Sequence, residues 1–514
     1  MSTNKSVAKS AGIIGFATTC SRILGFIRDI IIARLFGVYI YAQAFVIGFK
    51  IPNLLRDFIG EGATNAAFVP VFSEYSIKHT KEEFWELANV VLNILLVLLT
   101  AITIAGIIFA PIIVRAIAPG FIGSPEKLAA TIKLTRIIFP YILLISLTAY
   151  SMGILNSLKH FTVPAFAPCL LNISIIVFAL LFGEGIKGLA LGVLVGGFLQ
   201  LLVQIPVLYK KGFRLKWPKT FNHPAAKTIR KLMLPRMLST SIYQLNNFVD
   251  SIFGSLSIIV GEGGVAILYF AYRLVLFPIG IFSNSLSQAI LPTFSRQALE
   301  KSPEDLRNTL SWGLRANLFV ILPASVAFMV LSKLIVTSLF GGGKFDDYST
   351  RLTASALLFY SFGLFAYSGT KILQSCFFSL KDTVTPTKIA AVSLGLNIIL
   401  ISFLMFPLKV SGIALGNSIS GIISFFILFK LLRNKIGDFG SKQILVSFLK
   451  ILTASIGMGI VCFFVSKINL NKILSLGTTL FLGLVSYIFF CFVFKVKEIN
   501  QLLFWIMSRR SGKI

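Results

Sequence analysis

Charge is scarce in this chain, and acid is the scarcer sign. Of 514 residues only 13% are charged, with 19 Asp and Glu against 48 Lys and Arg. A soluble domain carries about a quarter charged residues, so this deficit argues against one. Cysteine is limited to Cys20, Cys169, Cys376, Cys462 and Cys491. They are scattered, mostly within apolar runs, and form no CxxC pair, so neither a disulfide framework nor a zinc site is expected. The three histidines, His79, His160 and His223, fall in predicted loops. HExxH, GxSxG and the glycine-rich phosphate loop G-x4-GK[ST] are all missing. Nothing here predicts nucleotide hydrolysis, a resident metal or an organic cofactor.

What the chain has instead is apolar length. It is 56% hydrophobic with a mean hydropathy of +0.87, and runs of about 20 apolar residues recur, enough for a helix to cross a bilayer. About fourteen are expected: 10–35, 42–72, 84–113, 129–156, 162–183, 186–209, 232–256, 264–293, 312–340, 351–380, 386–407, 411–433, 443–466 and 472–495. They must be helices, because lipid offers no hydrogen-bond partner to an open backbone. The first run is too long and too charged for a cleavable signal peptide.

A net charge of +29 in a soluble protein would suggest nucleic acid. Here its distribution gives another reading. Lys210, Lys211, Arg214, Lys216, Lys219, Lys227, Arg230 and Lys231 crowd the connection after the sixth segment. Arg433, Lys435 and Lys442 follow the twelfth, and Arg509, Arg510 and Lys513 close the chain. Loops on the opposite side, such as 256–263, are nearly free of Lys and Arg. That bias places both termini in the cytoplasm and assigns no nucleic-acid partner.

The two halves repeat at a shift of about 222–225 residues. Pro70-x-Phe72-Ser73 matches Pro292-x-Phe294-Ser295, and Leu158-Lys159 with Pro164 matches Leu380-Lys381 with Pro386. Leu171-Asn172-Ile173 matches Leu396-Asn397-Ile398, and Gly188-Leu189-Ala190-Leu191-Gly192 matches Gly412-Ile413-Ala414-Leu415-Gly416. An even number of helices per repeat gives both copies the same orientation, related by an axis along the membrane normal. The expected fold is an all-α polytopic membrane protein with two six-helix lobes around a central cavity and two further helices. Its divisions would be 1–209, a basic linker 210–231, 232–433, and 434–514.

Several charges fall inside the apolar segments. The first carries Arg22, Arg28 and Asp29, the second Lys50, Arg56, Asp57 and Glu61, and the eighth Arg273. A charge at the centre of a lone spanning helix costs about 2.5–3.5 kcal/mol, so it should face a partner or a watery cavity. Arginine offers a planar fork that binds two oxygens of a phosphate at once. The cluster therefore suits an anionic substrate, and structural ion pairing between helices is the other reading. Asp250, beside Gln244, Asn246 and Asn247, suits either a cation site or a satisfied polar network.

The motif SRILGFIRD over 21–29 is followed by ARLFG at 33–37, FKIPNLLRD at 49–57, EGA at 61–63 and AFVPVFSEY at 67–75. Further on come AYRLVLFP at 271–278, LPTFS at 291–295 and KDTVTP at 381–386. This set resembles the MurJ/MviN lipid II flippase family of the MOP superfamily, well over the first twelve segments and more weakly over the last two. The resemblance implies transport of the undecaprenyl-pyrophosphate-linked disaccharide-pentapeptide from the inner to the outer leaflet of the bacterial cytoplasmic membrane. It implies head-group binding by Arg22, Arg28, Arg56 and Arg273, with Asp29 and Glu61 as the motif acids. It implies a cation site drawing on Asp250, Asn397 and Asn417, with Na+ or H+ as candidate coupling ions, and cell-wall synthesis and division proteins as candidate partners. Two departures stand out. Many members have Thr-Asp-Ala-Phe where this chain has Ala42-Gln43-Ala44-Phe45, and Ile401 replaces an acid one turn after Asn397.

Among rival functions, a drug/cation antiporter or polysaccharide-lipid flippase of the same superfamily would not need this arginine set. A membrane glycosyltransferase or polymerase would need a catalytic site in a large extramembrane loop. A channel would show charges repeated by symmetry. The last two segments could hold the lipid tail in a groove, or serve packing or dimer contact.

Overall fold

The computed structural model describes residues 3–56, 68–183, 185–217, 223–300, 302–468 and 471–499, without the side chains of 3–11, 55–56 and 234–243. The chain divides into two compact units. The first is Met1–Ile258 with Glu262–Ala266 and Gly343–Phe345, and the second is Ile259–Gly261, Ile267–Gly342 and Asp346–Ile514.

The first unit holds α1 (Thr3–Phe36), α2 (Ile40–Arg56), α3 (Val69–Lys78), α4 (Lys81–Ile117) and α5 (Pro125–Ile138). It continues with α6 (Tyr141–Ser157), α7 (Thr162–Phe182), α8 (Ile186–Leu202), α9 (Ile205–Lys211) and α10 (Pro224–Gly254). A short α11 (Ser257–Val260) stands at the junction. The second unit is built on α12 (Gly264–Pro278), α13 (Asn284–Leu299), α14 (Pro303–Leu339), α15 (Asp347–Phe362) and α16 (Leu364–Ser379). It ends with α17 (Val384–Leu408), α18 (Val410–Ile436), α19 (Ser441–Val465) and α20 (Lys472–Val493). Compactness thus divides the chain near 258, and α10 groups with the first unit. Lys50 of α2 supplies a physical tie: its ammonium bonds the Asn247 carbonyl and the Ser251 hydroxyl of α10.

Among the described residues ten helices are long and apolar enough to cross a membrane, and eleven if the bent pair Asp347–Phe362 and Leu364–Ser379 counts as one span. Fourteen were expected. The remaining three segments are 10–35 in α1, 42–72 in α2 and α3, and 232–256 in α10. α1 and α10 carry the candidate charges, whose polarity lowers their mean hydropathy. α2 is described over Ile40–Arg56, and the part of its segment over 57–67 lies outside the described residues.

The repeated motifs recur as repeated local structure. Phe72 and Phe294 are both fully buried, and Phe72 meets Phe84 and Tyr150 edge-on at 5.7 and 6.0 Å. Lys159 and Lys381 both take a left-handed backbone, with φ of 57° and 58°. Such a φ is uncommon for a side chain-bearing residue. Just after Lys381, Asp382 caps α17 by accepting from the Thr385 amide and hydroxyl, and it pairs with Lys435 at 2.6 Å. Partial burial works against its charge, but Lys435 and Thr385 outweigh that and hold the carboxyl down to about 2.

The glycine motif explains itself in the packing. α8 lies on α7, and α18 on α17. A Cβ on Gly188 would stand 2.7 Å from the Phe178 carbonyl, and one on Gly412 would stand 2.1 Å from that of Leu404. Small residues let membrane helices approach this closely. Gly188→Leu and Gly412→Leu should each destabilise by about 1–3 kcal/mol through overpacking, read as a lowered thermal midpoint in detergent. Gly395→Leu, with nothing within 4 Å of its Cβ, should leave the midpoint unchanged.

Candidate functional site

α1 meets α7 along one stripe of Ala17, Ser21, Gly25 and Arg28. The spacing of three to four residues is that of one helix face. Gly25 lies opposite Asn172, 3.6 Å from its amide oxygen as measured from an added Cβ. Asn172 donates to the Ser21 and Pro168 carbonyls at 3.2 and 3.3 Å. Its own oxygen is left facing Arg28.

Arg28 and Asp29 are both buried, at 4% and 1% exposed. The guanidinium places Nε and Nη2 on Asp29 Oδ1 at 3.1 and 2.8 Å, and Nη1 on Asn172 Oδ1 at 3.0 Å. The cost of burying a cation here is offset by an adjacent carboxylate and an amide dipole. The same fork presents geometry suited to a phosphate.

The other candidates fall in several places. Arg22 is exposed on α1. Arg56 is the last described residue of α2, and its side chain, like all of Glu61, lies outside the described residues. Arg273 is half-buried on α12 with its guanidinium 5.4 Å from the Tyr269 ring centre. Asn397 donates to Asn417 Oδ1 at 3.2 Å, and Asn417 donates to the Ile413 carbonyl at 3.0 Å. Asn397 Oδ1 is buried with no hydrogen-bond partner, and Ile401 beside it is fully buried. Those three residues belong to the second unit and Asp250 to the first. Asp250 there exerts its attraction on Lys50, whose ammonium also lies 5.7 Å from the Phe248 ring centre. Among the described residues no group of three His, Cys, Asp or Glu side chains could hold a metal.

Two features were not anticipated from the sequence. One is Asn172, whose only signal was its recurrence in the repeat. The other is the Lys50–α10 contact, signalled only by opposite charges in two apolar segments.

A family profile described as "Lipid II flippase MurJ" matches residues 32–489. The chain belongs to this family. It is similar to the probable lipid II flippase MurJ of Buchnera aphidicola subsp. Acyrthosiphon pisum, 35% identical over 500 residues, covering 95% of this chain and 97% of that one. The probable lipid II flippase MurJ of Vibrio cholerae is 32% identical over 438 residues, 83% of each. A solved structure of a lipid II flippase MurJ in an inward closed conformation superposes with a TM-score of 0.80 at 29% identity, covering 95% of this chain and 99% of that one. A multidrug resistance MATE transporter of the MOP superfamily, inward-facing, gives a TM-score of 0.68 at 18% identity over 81% of this chain and 95% of that one. That likeness shows the shared fold. The SRILGFIRD stretch at 21–29 thus encodes the α1–α7 contact and the buried Arg28–Asp29 pair.

Proposed function

We propose that this chain is a lipid II flippase that carries the substrate's pyrophosphate on α1 by alternating access. The observation that carries the reading is the buried Arg28 guanidinium held by Asp29 and Asn172, in a chain of the MurJ family. Asp29 keeps the fork charged and oriented, and the pyrophosphate oxygens compete for the same donors. On the family resemblance Arg22, Arg56, Glu61 and Arg273 are assigned to the head group as well. The chain spans the cytoplasmic membrane fourteen times with both termini inside, α1 and α10 being polar spans. The membrane potential or a cation gradient resets the cycle.

α19 and α20 hold the prenyl tail. Asn471, Ile473, Leu474, Gly477, Thr478, Phe481 and Leu482 line an open groove of about 690 Å³ along α20. Its apolar wall suits a lipid chain.

The test is depletion of the resident flippase in a bacterium carrying this chain. Expression should sustain growth and keep lipid II appearing in the outer leaflet. Inserted protein that leaves lipid II inside would refute the reading.

A further inference from the structure

Asn89 and Asn93 are buried amides inside the apolar run of α4, and neither belongs to the site on α1. Both hold the chain that follows α9. Asn89 Nδ2 donates to the Arg214 carbonyl at 3.0 Å, and its Oδ1 accepts from the Lys216 amide at 2.7 Å. Asn93 Nδ2 donates to the Lys216 carbonyl at 3.1 Å. These bonds satisfy backbone groups that have no helix or strand to pair with over 213–217. Gly212, at φ +106°, makes the turn out of α9, and Phe213 is buried with its ring 5.7 Å from that of Trp85. Arg214 braces the turn: its Nη1 donates to the Tyr209 and Phe213 carbonyls at 3.0 and 2.8 Å, and its guanidinium lies 5.0 Å from the Tyr209 ring centre. Trp85, Asn89 and Asn93 are four residues apart and share one face of α4. The acids of its first turns, Glu82, Glu83 and Glu86, lie off that stripe.

What this clamp leaves outside is amphipathic. Leu215 and Trp217 are 61% and 71% exposed, beside the exposed Lys210, Lys211 and Lys216. The chain holds no Asp or Glu from 204 to 231. α4 has 37 residues, about 55 Å of helix against about 30 Å of hydrocarbon, so its charged first turns project from the bilayer and the clamp lies near the rim. Tryptophan settles at that depth, and lysines there attract anionic lipid. We propose that the segment pinned by Asn89 and Asn93 is a docking surface for anionic phospholipid head groups, with Leu215 and Trp217 entering the interface and the three lysines meeting phosphate. The orientation proposed above makes this the cytoplasmic leaflet. A charge bias needs only a loose loop. Two buried amides that fix the backbone give the lysines and the tryptophan one common face, which a loose loop would not.

Fluorescence quenching of the full chain in phosphatidylcholine vesicles tests this. The signal of Trp217 is the difference between the native chain and Trp217→Phe, a substitution at an exposed side chain. A small fraction of brominated phosphatidylglycerol should quench it strongly, and the same fraction of brominated phosphatidylcholine weakly. Each of Lys210→Gln, Lys211→Gln and Lys216→Gln should weaken that preference about fivefold, and added salt should weaken it further. Asn89→Ala, which frees the segment and removes no charge, should weaken it as well; an unchanged preference there would overturn the role of the clamp. Equal quenching by the two lipids, or none by either, would overturn the docking surface. So would a preference that survives loss of all three lysines. Relief of quenching by a trace of lipid II, where unlabelled phosphatidylglycerol relieves none, would assign the surface to the transported lipid and overturn it too. None of these outcomes bears on whether the chain flips lipid II.

Discussion

Arg28→Ala should abolish lipid II transport. Two charge-assisted hydrogen bonds to a pyrophosphate, at about 1.5–3 kcal/mol each, make the loss about 100-fold or more. The same substitution strands Asp29 as a buried, unpaired charge, which costs about 3–5 kcal/mol of stability. A transport defect in that variant alone would therefore confuse site with fold. Arg28→Met combined with Asp29→Leu separates them. Replacing a buried pair by apolar residues of similar volume is often neutral for stability, so the double variant should insert and keep its thermal midpoint yet transport nothing. If it sustains growth when the native flippase is depleted, the pair is only a structural tie between α1 and α7. Arg28→Lys keeps the charge and loses the planar fork, so it should transport more than the alanine variant and less than the native protein.

Deleting α19 and α20 from Ser441 onward should also stop transport, and here the structure changes how the deletion must be made. α19 and α20 both pack on α14. Tyr487 donates its hydroxyl to the Phe319 carbonyl at 2.6 Å. Beyond α20, the buried Glu498 accepts from Arg315 at 3.1 Å and from Ser447 at 2.9 Å. A plain truncation would leave Arg315 without its carboxylate. The truncated chain should therefore carry Arg315→Leu as well. That protein should insert with its remaining helices intact while outer-leaflet lipid II falls to the depleted level. Photocrosslinking in the full chain gives the direct readout. Phe464 and Phe481 are both about two-thirds exposed, and Phe481 lines the α20 groove. A polyprenyl probe should label both. Labelling confined to α1–α18 would remove the groove from the mechanism and leave packing as the role of these helices.

Much of the architecture was legible because membrane helices announce themselves by length and polarity. Ten of the expected apolar segments meet that standard singly, and the α15–α16 pair meets it together. The repeat was legible because its motifs do the same local work twice: Phe72 and Phe294 fill cores, and Gly188 and Gly412 admit a neighbouring carbonyl. Within the site, Arg28 and Asp29 could be singled out as charges in an apolar run. Their partner could not. Asn172 is 144 residues away, and a helical period says which residues share a face but not which helix meets it. Arg22 has the same sequence signature as Arg28 and comes to lie exposed. Asp250 has the signature of a cation ligand, and α10 brings it into the field of Lys50.

The sequence by itself determined that this chain is helical and membrane-embedded, that short motifs of its first half recur in its second, and that its first apolar segment hides charge. These follow from local rules: the hydrogen-bond demand of a backbone in lipid, the length of a span, and the cost of a buried ion. The tertiary structure decided which charges are satisfied and by what. It paired Arg28 with Asp29 and Asn172 and tied α10 to α2 through Lys50. Those pairings depend on which helix faces approach one another. That is settled by packing over the whole chain, where close glycine contacts and the high cost of an unpartnered buried charge leave few arrangements open.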